Sequence, residues 1–255
     1  MKRIAVVLVA LLIFGAAKLP LERSIHDAHR AAYFHGATLN LTLREQIGQG
    51  AFLAALSGFR GVIADFLSLQ ANDAWENTQW SRVIFLYNQI TTLQPRSSLN
   101  WEMGAWYMAF DAAQAALDDP KQPRQALREK ARREFIQQGR EFLERGIRNN
   151  PDHSTLYNRL GFVLMNKTDD HLGASRAYAK AAEFPDCMGY EKRFAAYELA
   201  KVPGKEAEAY ALLVKLYREG DKERAPMLLV RIKAMEEKLH IPPEQRVYKP
   251  AGKLQ

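Results

Sequence analysis

The sequence predicts an all-α protein built from repeated helix pairs, and three observations carry that reading. Ala, Leu, Glu, Arg and Lys dominate the 255 residues, and strand-like alternation of apolar and polar positions is almost absent. Proline-ended helical stretches also recur at a fixed spacing. Pro151 and Pro185 lie 34 residues apart, as do Leu67 and Trp101, and Tyr190 follows Tyr157 by 33. Between Pro95 and Pro151 the interval widens to 56, which places an insertion near 118–140, around Asp118-Asp119-Pro120-Lys121-Gln122-Pro123. A chain of this kind spreads its core along its length instead of gathering it at one centre.

Residues 1–21 come first. Met1-Lys2-Arg3 precedes an uncharged apolar run from Ile4 to Ala17, which Lys18 and Pro20 end. A basic head, an apolar centre and small residues at Gly15 and Ala17 have the layout of an export signal. Continued to Leu21, the same run makes a short membrane anchor. The reading is a signal peptide or anchor, with the rest of the chain exported, periplasmic or held at the outer side of the cytoplasmic membrane. Lys2 and Arg3 stay on the cytoplasmic side.

Residues 22–61 read as an N-terminal helical segment. Leu21–Phe34 is a short amphipathic helix, and Thr42 caps a second one over Leu43–Leu56, which Gly58-Phe59-Arg60-Gly61 breaks. The repeat domain then covers 62–240. Its helices are expected over Val62–Asn77, Gln79–Leu93, Leu99–Leu117 and Arg124–Arg148, then through two further pairs to Glu183 and Arg218. Asn149-Asn150-Pro151-Asp152 is expected to close the long helix, since Asn readily takes the left-handed conformation that ends a helix, and Asp152 or Ser154 to cap the next. A final helix over Lys222–Leu239, charged on its outer side, covers the open end of the stack. Residues 241–255, with Pro242, Pro243 and Pro250, are expected to form an irregular tail.

Tyr157-x₂-Leu160-Gly161-x₂-Leu164, then Ala174-x₃-Tyr178-x₂-Ala181, then Pro185, resembles the tetratricopeptide repeat. The likeness extends over roughly 62–218. It runs through Leu67, Ala71 and Ala74 with Tyr87, Ile90 and Pro95, then Trp101 to Met108, and then Tyr190, Phe194, Tyr197, Tyr210 and Leu213. The resemblance implies a right-handed superhelical stack whose first helices line a concave partner-binding face. The positions it puts on that face are Asn72, Trp75, Trp106, Asn158, Phe162 and Asn166. It also implies an exclusion. The subclass that clamps a C-terminal carboxylate needs five polar positions, and here they hold Ser68, Asn72, Met103, Thr155 and Arg159, of which two match. Capture of a peptide terminus is therefore not expected.

No catalytic constellation stands out. Asp118-Asp119 and Asp169-Asp170 sit beside turns, where Asp caps or bends the chain. The six histidines form no metal-binding spacing, and His26 and His29 lack a third ligand. Cys187 stands alone and reads as a buried small residue. No nucleophile elbow or phosphate loop is present, so no metal or cofactor is expected. The expected function is a non-enzymatic scaffold binding a protein or peptide, with no nucleic acid partner. An enzyme or enzyme subunit whose site is built from distant residues is the competing class.

A third reading rests on charge. The chain carries a formal net charge of +7, and residues 121–148 hold nine Lys/Arg against four Glu. Arg128, Arg132, Arg133 and Arg140 are candidates for an anionic lipid or wall polymer. The alternative is a solvated basic back behind an apolar stripe of Leu127, Ala131, Phe135, Phe142, Leu143 and Ile147. Trp75, Trp80, Trp101, Trp106, Tyr107 and Phe110 are expected to lie mostly in the core.

Overall fold

The computed structural model describes residues 58–220 and 223–247. The apolar run, the helices expected over 21–56 and the last residues of the tail lie outside them. Among the described residues the protein is all-α, with helices packed against one another and no strand. It forms two compact units that divide between Asn150 and Pro151.

The N-terminal unit begins with α1 (Arg60–Glu76) and α2 (Trp80–Leu93), a hairpin that turns at Thr78 with φ 55°. Small residues make the close approach possible: Ala64, Ala71 and Ala74 of α1 are buried, as are Val83, Leu86, Tyr87 and Ile90 of α2. A run from α3 (Ser98–Trp106) passes through a π-helical segment (Tyr107–Ala112) into α4 (Ala113–Leu117), and α5 (Gln125–Asn149) packs back along it. Gly139 and Gly146 set that spacing. A Cβ on Gly139 would lie 2.9 Å from the Ala105 carbonyl oxygen, and one on Gly146 would lie 2.8 Å from Trp101.

The C-terminal unit holds α6 (Ser154–Val163), which runs into a second π-helical segment (Leu164–Thr168), and α7 (His171–Ala181). Asp170 caps α7 by accepting from the Gly173 N–H at 2.8 Å, and Asp169 turns the chain with φ 53°. Next come α8 (Tyr190–Leu199), α9 (Glu206–Glu219) and α10 (Pro226–Lys238). Ala196, Leu199, Ala209, Leu213, Leu228 and Ile232 form a shared apolar core among these three.

Several expectations need correction. Asn150 is not left-handed (φ −137°), because its amide donates to the carbonyls of Pro95 at 2.8 Å and Gly146 at 3.0 Å. Ser154 does not cap α6; it is the helix's first residue, and its hydroxyl donates to Asp186 at 3.0 Å. The final helix starts at Pro226, not Lys222, since proline suits the first turn where no N–H partner is needed. Residues Pro243–Gln245 form a 3₁₀ turn, and the Val247 N–H donates to the buried carboxylate of Glu236 at 2.8 Å, which ties this part of the tail down.

Candidate functional site

On the N-terminal unit, α1 and the π-helical segment bring together an aromatic and acidic surface. The Trp75 indole N–H donates to Asp111 Oδ2 at 2.9 Å, and its ring lies 6.1 Å from that of Tyr107. Tyr107 also leans on Tyr87 at 5.4 Å, and burial raises the Tyr87 phenol's pKa, with Tyr107 adding to the shift. Adjacent in sequence to Tyr107 and Asp111, Trp106 and Phe110 stack with centroids 4.2 Å apart. Asn72 is exposed and donates to Glu76 at 2.8 Å. Trp75 and Trp106 are both exposed, at 38% and 39%. Of the six aromatics expected to be mostly core, only Trp101 is buried, and its N–H donates to the Pro95 carbonyl at 2.9 Å.

Charge is unevenly shared in this unit. α1 and the run from Ser98 to Leu117 carry one basic residue, Arg60, against five acidic ones: Asp65, Asp73, Glu76, Glu102 and Asp111. Their partner helices α2 and α5 carry eight basic against four acidic. As whole helices, α1 and the Ser98–Leu117 run are therefore net acidic, and α2 and α5 net basic.

In the C-terminal unit the candidates do not stay together as a surface. Asn158 is buried, a correction to its expected place on an open face. Its amide donates to Glu191 Oε1 at 2.6 Å and to the Tyr190 hydroxyl at 2.7 Å. The cause is Glu191, a buried carboxylate that needs donors and also accepts from the Met188 N–H at 3.0 Å. Burial raises the Glu191 pKa above the usual carboxylate range, and these two donors partly oppose the shift. Phe162 is half-buried, and the exposed Asn166 donates back to the Phe162 carbonyl at 2.8 Å. A second buried carboxylate, Glu198, accepts from Lys201 at 2.7 Å and pairs with His171 at 2.8 Å.

The four arginines of α5 do not share one face. Arg128 and Arg132 align with Ile136, Gly139 and Leu143 on the packed side, and Arg128 Nε is buried without a hydrogen-bond partner. Arg132 faces Glu129 at 3.6 Å, Arg140 is paired with Glu144 at 2.9 Å, and Arg133 is exposed. The apolar stripe is also shifted. Phe142 and Leu143 are buried as expected, but the other buried positions are Ile136, Gly139 and Gly146, while Leu127 is exposed. A groove of about 420 Å³ that no motif in the sequence marks lies between α2 and α5, lined by Asn88, Glu141, Glu144, Arg145 and Arg148 among others. There Arg145 donates to Asn88 at 2.7 Å and lies over the Phe142 ring at 4.9 Å. Burial and the neighbouring Arg148 lower its pKa.

Among the described residues no helix is long and apolar enough to cross a membrane, and no three His, Cys, Asp or Glu side chains gather as metal ligands. No protein-family model, curated protein or solved structure matched the chain.

Proposed function

We propose that the chain is a tetratricopeptide-like scaffold, its helix pairs in a right-handed superhelical stack, that holds a protein or peptide on its first-helix face. One observation carries the reading: Ala71, Ala105 and Gly161 are all buried, and each lies four residues after the large residue of its repeat, Leu67, Trp101 or Tyr157. A small residue at that place in successive units is what closely packed repeat hairpins require. The surface formed by Trp75, Tyr107 and Asp111, with Asn72 beside it, is the partner-facing part of the N-terminal unit. Its acidic balance favours a partner segment bearing Lys or Arg.

The scaffold works outside the cytoplasmic membrane, exported by residues 1–21 or anchored through residues 4–21, where it helps assemble or maintain an envelope complex. Support comes from the basic head and apolar run of the sequence. Two experiments test the proposal. A reporter active only after export, fused after Gln255, should give signal, while activity from a cytoplasm-only reporter alone would refute the location. Purification from membranes should recover a partner whose retention falls when Trp75 and Asn72 are both replaced by Ala. Recovery of the chain alone, together with turnover in a substrate screen, would favour an enzyme instead.

A further inference from the structure

The groove between α2 and α5 holds two guanidinium groups that the fold leaves without a negative partner. Arg145 and Arg148 line it, and Ile84 and Met108 give it an apolar lining. Among the described residues neither arginine bonds a carboxylate. Glu141 and Glu144 precede them by four residues each, the spacing at which helical ion pairs form readily. Yet Glu141 accepts from Gln137 at 2.8 Å, and Glu144 accepts from Arg140 at 2.9 Å. Arg145 reaches instead to Asn88 Oδ1, a neutral acceptor, at 2.7 Å. We propose that this groove binds a phosphate monoester, its dianion held by Arg145 and Arg148 and its apolar stem against Ile84 and Met108.

The site is pre-organised for an anion. Arg145 lies over the rings of Phe142 at 4.9 Å and Trp101 at 5.7 Å, so its side chain has little freedom left to lose on binding. Burial, and then the neighbouring Arg148, lower the Arg145 pKa. The two like charges are therefore close enough to repel, and an anion bonded to both relieves that repulsion. A phosphate monoester brings roughly two negative charges at neutral pH and three acceptor oxygens. That matches two planar donor forks better than a single carboxylate does.

No structural duty already occupies the pair. Basic residues in a last turn commonly serve the carbonyls at a helix C-terminus, but those of α5 are bonded to other groups. The Arg145 carbonyl accepts from the Asn149 amide, and the Gly146 carbonyl from the Asn150 amide. The Ile147 carbonyl accepts from the Asn150 N–H, and the Asn149 carbonyl from Arg96. Glu141 and Glu144, a turn earlier on the helix, keep the anion at the arginine end of the groove. None of Asn72, Trp75, Tyr107 and Asp111 lines it, so the site stands independently of the partner-facing surface.

The test is calorimetric titration of the full chain with n-butyl phosphate, inorganic phosphate and pentanoate. Butyl phosphate should bind saturably and roughly tenfold tighter than inorganic phosphate, since about two methylenes of its stem leave water. Pentanoate, with a similar stem and one charge, should bind more weakly than the ester. Arg148→Gln should weaken the ester by at least roughly tenfold while the fold persists, because Arg148 is exposed. Arg133→Gln, exposed on the same helix but outside the groove, should leave binding unchanged. No saturable binding, equal losses in the two variants, or pentanoate as tight as the ester would overturn the proposal. Neutral vesicles containing phosphatidic acid separate a lipid source from a soluble one. Vesicle binding that butyl phosphate competes away would support the same site with a lipid as its ligand. Vesicle binding without any binding of the soluble ester would overturn it.

Discussion

Glu191 is 1% exposed, and its carboxylate is held by the Asn158 amide and the Met188 N–H. Its pKa is raised, chiefly by burial, so between the unfolded and folded values the native state binds the extra proton. Its contribution to stability is therefore full below the ordinary glutamate range and is lost as pH rises through the folded value. Denaturation midpoints measured from acid to neutral pH should show this falling component in the native chain and not in Glu191→Gln. Identical pH profiles for the two would contradict the assignment. Asn158→Leu should cost more than a surface change, about 1–3 kcal/mol, because it leaves a buried carboxylate short of a donor. Nothing in the sequence around Asn158 announces this. Glu191 is 33 residues away, and only the packing of α8 beside α6 and α7 brings the two together.

At the scale of elements, α5 shows how tightly one helix is placed. A methyl on Gly139 would meet backbone, the Ala105 carbonyl at 2.9 Å and the Ala109 nitrogen at 3.0 Å, so it cannot be absorbed by a side-chain shift. Gly139→Ala should therefore destabilise by about 1–3 kcal/mol despite alanine's better helix propensity. Gly189→Ala, with nothing within 4 Å and a φ of −60°, should be neutral or slightly stabilising. Thermal or denaturant melts compare the two directly, and equal effects would mean that α5 is free to move.

The same helix separates two kinds of arginine. Arg128→Gln with Arg132→Gln should lower the melting midpoint, since both side chains cover the packed side. Lys130→Gln, Arg133→Gln and Arg148→Gln together should leave the unfolding free energy within about 0.5 kcal/mol of the native chain, as expected for exposed positions. Co-sedimentation with anionic vesicles would then read surface charge alone from the second set, and binding that survives high salt would argue against an electrostatic contact.

Across the whole molecule, helices that pack mainly on their sequence neighbours imply stability shared locally. Leu213 is fully buried in the core formed by α8, α9 and α10. Leu213→Ala should cost about 2–5 kcal/mol there and speed amide exchange across Pro151 to Val247. Exchange in α1 and α2 should change far less. Uniform acceleration throughout the chain would show a single cooperative core instead of a stack.

The all-α class, the helix pairs and most of their limits were legible in the sequence, because helix propensity, apolar period and proline stops act within a few residues. α1 begins two residues before its expected start and α2 ends where expected, and the long helix shifts by a single residue. The site was legible only in part. Trp75 and Asn72 are exposed, and the Asp111 carboxylate joins Trp75 from 36 residues away. Which side of α5 faces inward, and hence which arginines are surface charges, was decided by Gly139 and Gly146 against α3 and its π-helical extension. A sequence period specifies which residues share a face of a helix. Only the packing of that helix on its neighbours decides which face is buried, because burial depends on the partner's shape and not on the helix alone.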